Sequence, residues 1–133
     1  MSRERKLAIR YADTWFSHYI CMRDGECYTC GEQANLECGH LFSRTFLATR
    51  WNEEAAKAQC RRCNCHHEAD PLPFEDKFIR EYGYHTFVRI KRLTKRPVLL
   101  ATHEIRAIGR LYRDKYRNLL GERDEQEQPH NPI

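Results

Sequence analysis

Two Cys-x-x-Cys pairs, Cys27/Cys30 and Cys60/Cys63, stand 29 residues apart in this chain. Four thiols in two such knuckles are the ligand set of a tetrahedral zinc site. A redox-active Cys-x-x-Cys needs only one pair, at a helix N-terminus after a strand. The gap is longer than a minimal zinc ribbon requires, so a functional segment is expected between the knuckles. The cysteine count is seven, an odd number. The opening Met1-Ser-Arg-Glu-Arg-Lys is charged and leads into no apolar stretch. Both features argue against a disulfide framework and for a cytoplasmic protein. No apolar run reaches membrane-spanning length, which excludes a membrane partner at this stage. At 133 residues, one domain is expected over residues 1–121, with a flexible acidic tail at 122–133.

Charge is unevenly spread. Residues 77–117 carry 12 Lys+Arg against 3 Asp+Glu, whereas residues 1–76 carry 10 against 12 and residues 118–133 carry 1 against 4. A basic block of that kind points to a polyanion, most simply nucleic acid.

The periodicity predicts a helix over residues 3–22, with Leu7, Ala8, Tyr11, Ala12, Trp15, Tyr19 and Met22 as its apolar stripe. Asp24-Gly25 is its stop signal. Residues 36–42 suit a strand. Residues 52–58 have helix propensity but precede the second knuckle so closely that a turn serves equally well. A helix after Cys63 should stop before Pro71. Further helices are expected over residues 74–82, 84–93 and about 99–120, with Gly121 just past the last. On that last helix Ala101, Ile105, Ile108, Leu111, Tyr112, Tyr116 and Leu119 form the apolar stripe. Arg106, Arg110, Arg113 and Arg117 form a second stripe and are candidate phosphate contacts. Trp15, Phe42, Phe46 and Trp51 are expected in the core. The class is therefore α+β: a small zinc-braced strand-and-helix centre over residues 25–70 and a basic helical part over residues 74–120, flanked by N- and C-terminal helices.

Between the knuckles lie His40, Asn52 and Asn64, each 12 residues from the next. Phosphodiester hydrolysis needs a base for water and a cation to neutralise charge on the phosphate and the leaving oxygen. A neutral imidazole can take the proton. An asparagine carbonyl can fix its tautomer. A helix after the second knuckle can carry ligands for a divalent ion. Arg44, Arg50, Arg61 and Arg62 flank this centre as candidate DNA contacts, although Arg62 has a rival partner in Glu53 or Glu54.

The combination of knuckles, Gly39-His40, Asn52 and Cys60-x-x-Cys63-Asn64 resembles the zinc-decorated HNH, or ββα-metal, nucleases in an HNN form. The strings Cys38-Gly-His-Leu-Phe-Ser-Arg44, Ala48-Thr-Arg50 and Gln59-Cys-x-x-Cys-Asn64, with Phe74-Glu-Asp-Lys-Phe and Glu81-Tyr-Gly83, are similar to the NinG/Rap family of phage recombination nucleases. That resemblance covers about residues 25–95. It implies a metal-dependent DNA endonuclease acting on branched intermediates such as D-loops and Holliday junctions. It further implies that His40 is the general base and Asn52 its orienting partner. Asn64 helps hold the catalytic ion, and Cys27, Cys30, Cys60 and Cys63 hold structural zinc. Many HNH enzymes place Asp or His directly before the base, where this chain has Gly39. Cys38 or Glu37 can stand in, and His67 or His66 can complete the set. The catalytic ion is then Mg²⁺ or Mn²⁺, with Zn²⁺ open. A homodimer would suit a two-fold junction. The competing readings are a zinc-ribbon module that binds nucleic acid without cutting it, and a protein-interaction adaptor.

Overall fold

The computed structural model describes residues 1–127. Helix α1 spans Arg3–Asp24. The Ser2 hydroxyl accepts from the Arg5 N–H at 3.1 Å to start it. Gly25, at φ +73°, closes it with an N–H to the Cys21 carbonyl. Left-handed backbone there is what glycine supplies without steric cost. Strand β1 is Leu36–His40, a short helix α2 is Leu47–Arg50, and a 3₁₀ turn at Glu53–Ala55 leads into strand β2, Ala56–Cys60. Helices α3 (Arg61–Ala69), α4 (Leu72–Tyr82), α5 (Tyr84–Leu93) and α6 (Thr102–Glu127) complete the chain.

β1 and β2 pair antiparallel in the register Leu36↔Cys60, Cys38↔Ala58, His40↔Ala56. Of residues 52–58, expected as helix or turn, 53–55 form the 3₁₀ turn and 56–58 belong to the strand β2. Their intrinsic propensity loses to the backbone ladder and to burial of Ala56 and Ala58. α3 starts directly off β2, so two strands and a helix follow one another across the second knuckle. The expected α+β class holds as a small two-stranded sheet among helices.

Two apolar clusters grip this unit. One joins α1 and α6 through Ala8, Ala12, Phe16, Ile20, Ile105 and Tyr112, with Trp51 and Ala56. The other joins α4 and α5 through Phe74, Phe78, Phe87 and Ile90, with Leu41 and Ala55. Adjacent residues Ala55 and Ala56 belong to different clusters, so the entry to β2 ties them together. On α1 the buried stripe is Ala8, Ala12, Phe16 and Ile20. Leu7, expected inside, is 50% exposed, and Trp15 and Tyr19 lie half-buried on the flank. Small residues at 8 and 12 let α6 approach closely, which leaves no room for a wide aromatic stripe at the centre. Ala101, just before α6, and Leu111 on it are likewise exposed, and Gly109 is buried between Ile105 and Tyr112. Of the expected core aromatics, Trp51 is buried; Phe42 and Phe46 are half-buried.

α6 does not stop at Gly121 but continues to Glu127. The expected acidic tail is therefore helical over 122–127, and residues 128–133 lie outside the described residues. No described helix is long and apolar enough to cross a membrane.

A Cβ at Gly109 would clash with the Tyr11 ring and lie 3.3 Å from the Ala12 Cα. Gly→Ala in a helix normally gains about 0.5–1 kcal/mol, but overpacking costs about 1–3 kcal/mol. Gly109→Ala is expected to lose roughly 1–2 kcal/mol net, read from the urea midpoint. A raised midpoint would mean that Tyr11 simply swings aside.

Candidate metal centre and groove

The first knuckle forms in the turn after α1. Gly31, at φ +80°, returns its N–H to the Cys27 carbonyl at 2.9 Å. The Tyr28 N–H bonds the Ala58 carbonyl at 2.8 Å, seating this turn against β2. The second knuckle straddles the junction of β2 and α3, where the Cys60 sulfur caps the helix by accepting the Cys63 N–H. The four sulfurs lie within 4.8 Å of one another, with Cys30 and Cys60 3.7 Å apart. A tetrahedron with Zn–S bonds of about 2.3 Å has edges of about 3.8 Å, so the donor set fits a structural metal. Among the described residues this is the only group of three or more His, Cys, Asp or Glu side chains at metal-binding distance.

Electrostatics agree. Burial raises the Cys27 thiol, but the Thr29 hydroxyl and the backbone groups of Cys60, Cys30 and Thr29 outweigh it and bring the thiol down to about 6. At Cys63 the Thr29 hydroxyl pulls down, yet burial and the Cys60, Cys30 and Cys27 thiols push the group up to about 12. Four sulfurs this close cannot all ionise without a cation between them.

His40 ends β1 and lines a groove of about 920 Å³. Its Nε2 lies 3.1 Å from the Arg50 carbonyl. A carbonyl only accepts, so Nε2 carries the proton and Nδ1 keeps the free lone pair. Burial pulls the imidazole down to about 4, opposed by the Arg50 carbonyl and assisted by the Arg44 charge. The ring is therefore neutral across the physiological range, and its free nitrogen can accept a proton. Glu37, Asn64 and Glu68 line the same groove, as does Arg44.

Several expected roles change. Asn52 does not orient His40: its Oδ1 caps the 3₁₀ turn by accepting the Glu54 N–H at 2.9 Å, and the Arg50 carbonyl takes the ring N–H instead. Asn64 points into the groove region and donates to Glu37 Oε1 at 3.0 Å. His67 is not free to ligate through Nε2, which donates to the His40 carbonyl at 2.9 Å, and its Nδ1 is buried. It clamps α3 to β1. His66 is exposed and lies 3.8 Å from Asp70. Cys38 packs against the α1–α6 cluster, and burial holds it well above the usual thiol range. It also reaches the groove wall, 3.9 Å from His40 Nε2, but a soft thiol suits neither Mg²⁺ nor Mn²⁺. Apart from Asp13, which Arg50 engages, the carboxylate and amide side chains lining the groove with His40 are Glu37, Asn64 and Glu68.

The arginines also separate. Arg50 is half-buried and bidentate to Asp13, at 2.6 and 2.9 Å, so it is a structural clamp. Arg62 is exposed on the metal-site side, where the nearby Cys30, Cys63 and Cys60 thiols raise its pKa, and it pairs with neither Glu53 nor Glu54. Arg61 lies 3.5 Å from Glu37. Arg44 remains 60% exposed at the groove, 3.7 Å from Asp13. Arg113 bonds Asp114 and the Tyr11 hydroxyl, and Arg117 lies over the Trp15 ring. Arg106, Arg110 and Arg117 are exposed and take no carboxylate among the described residues.

Asp13 is the residue that sequence reasoning missed. Besides Arg50 it accepts from the Trp51 indole N–H at 3.0 Å. It thereby fixes residues 50–51 to α1, and with them the carbonyl that sets the His40 tautomer. The available signal was a lone acid: between Arg5 and Arg23 no other Asp or Glu occurs.

A family model described as NinG, bacteriophage lambda NinG protein, matches residues 2–122. The match extends the earlier likeness to α1 and most of α6. No curated protein and no solved structure matches the chain.

Proposed function

Because the chain belongs to the NinG family, we propose that it is a metal-dependent DNA endonuclease of the zinc-decorated HNH type, cutting branched recombination intermediates such as D-loops and Holliday junctions. The observation that carries this reading is His40: a neutral imidazole, proton fixed on Nε2, with Nδ1 free in a groove that also holds Glu37, Asn64, Glu68 and Arg44. The four-cysteine site holds zinc and braces the two strands against α3, a helix with no buried residue of its own.

In the proposed step a water oxygen attacks phosphorus while His40 Nδ1 takes its proton. The bond from phosphorus to the leaving oxygen breaks in line with the attack, and that oxygen departs with the bonding pair, to be protonated from solvent. Glu37 and Asn64, with Glu68, would hold a Mg²⁺ or Mn²⁺ ion, which supplies neutralisation of charge on the phosphate and the leaving oxygen. Arg44 adds positive charge at the same rim. A homodimer in the host cytoplasm would match the two-fold symmetry of a junction.

The test is incubation with branched and linear DNA in Mg²⁺ or Mn²⁺, against an EDTA control. Nicked branched strands that depend on the added ion are expected. Binding without any cleavage would leave a zinc-ribbon nucleic-acid module. Failure to bind DNA even at low salt would leave an adaptor for an acidic protein.

A further inference from the structure

We infer that the DNA backbone entering the His40 groove is gripped by Lys91 and Lys95, at the C-terminal end of α5, and not by the arginine stripe of α6. This rests on the nuclease reading above and assigns the surface that would serve it.

Two contacts place the end of α5 against the segment 42–46, of which residues 42–45 line the groove. The Lys91 ammonium lies 6.0 Å from the centre of the Phe87 ring, which packs 5.5 Å from Phe42 of the groove wall. The Lys95 ammonium lies 5.9 Å from the centre of the Phe46 ring, directly after Arg44 and Thr45, which also line the groove. Both lysines are exposed, and neither pairs with a carboxylate among the described residues. A helix C-terminus favours cations in its last turn, which accounts for a charge at Lys91. It does not account for Lys95 beyond the helix end. With Arg44 on the same segment they supply three exposed cations beside the groove wall, the kind of set that holds phosphates without reading bases.

The α6 stripe sits elsewhere. On α1, Asp13 and Ser17 face the groove. Tyr11 and Trp15, which hold Arg113 and Arg117, lie two residues before each of them. At roughly 100° per residue that is about 200° around the helix. The arginines are therefore anchored on the flank of α1 facing away from the groove.

Salt dependence measures this directly, because each lost phosphate contact lowers the slope of log K against log salt by roughly 0.9. Binding of a fluorescein-labelled branched DNA is followed by anisotropy, without added divalent ion, over a series of salt concentrations. For Lys91→Gln/Lys95→Gln the slope is expected to fall by roughly 2. Lys91→Arg/Lys95→Arg should keep it, and Arg106→Gln/Arg110→Gln should leave it unchanged. Retention of the wild-type slope by the Lys→Gln pair, or its loss in the Arg→Gln pair, overturns the assignment while leaving the nuclease reading intact. Absence of binding by the wild-type protein overturns both. Metal content and helical signal, measured on every variant, exclude misfolding as the cause.

Discussion

His40→Ala is expected to reduce cleavage of branched DNA by roughly 10²–10⁴-fold while metal content and helical structure stay at wild-type levels. The second half of that expectation comes from how the residue is used. Its backbone carbonyl, not its ring, receives the His67 N–H, and its place in β1 is held by the ladder to Ala56. Truncating the side chain removes the ring bond to the Arg50 carbonyl and contact with Phe16, but none of the four sulfurs. The pH profile gives a companion reading. With His40 as the proposed base, activity would require the unprotonated ring and would be lost as pH falls through the pKa of His40. Burial sets that value at about 4 in the free protein. Cleavage should therefore persist well below about pH 6.5, where an ordinary histidine would already be half protonated. A purified His40→Ala protein that cuts at the wild-type rate removes His40 from the chemistry. An acid limb centred near about pH 6.5 would mean that the ring is hydrated in the working complex.

Why Asn52 reads as the orienting partner, and is not, lies in what a linear spacing can express. The equal intervals from His40 to Asn52 to Asn64 look like a register, but the intervening chain does not run as one regular element. It turns through α2 and a 3₁₀ turn, and that turn needs a cap. Asn52 supplies the cap with its side chain. A backbone carbonyl, which any residue could provide, meets the imidazole instead. The same blindness applies to β2. Ala-Lys-Ala has helical propensity, and only the ladder to β1 and the clusters on both sides make it a strand. Asp13 was hidden because its partners, Arg50 and Trp51, are 37 and 38 residues away. What could be read was local or compositional. The knuckles, the Gly25 and Gly83 helix ends, and a strand carrying His40 all depend on short-range rules. The expected apolar stripe of α1 held Ala8 and Ala12, which are buried, but ran on through Trp15 and Tyr19, whereas the buried line continues through Phe16 and Ile20. Close approach of Gly109 to Ala12 and Tyr11 keeps that seam narrow.

Cys30→Ser is expected to release the structural metal and to unfold one part of the molecule before the rest. Among the ligands Cys30 gives the cleanest test, since it is exposed and, unlike Cys60, caps no helix. In the segment from Glu26 to Asn35 only Cys27 is buried. Apolar contact there is limited to Tyr28 against Phe74, so the sulfur–metal bonds carry most of the hold on that loop. Structural zinc in small peptides binds with about 10–16 kcal/mol, nearly all of which appears as folding free energy. Without it, amides of residues 26–40 and 56–69 should lose hydrogen-exchange protection, and cleavage should vanish with them, because His40 and Asn64 sit on the elements that the metal joins. α1 and α6 should remain protected, since Ala8, Ala12, Phe16, Ile105 and Tyr112 pack without reference to the sulfurs. Most of the far-UV helical signal would then survive the loss of all activity. Uniform collapse of protection across every helix would show that the metal supports the whole chain. A Cys30→Ser protein that still carries one equivalent of metal, with unchanged protection around β1, would mean that three sulfurs suffice and that the fourth plays no part in bracing the groove.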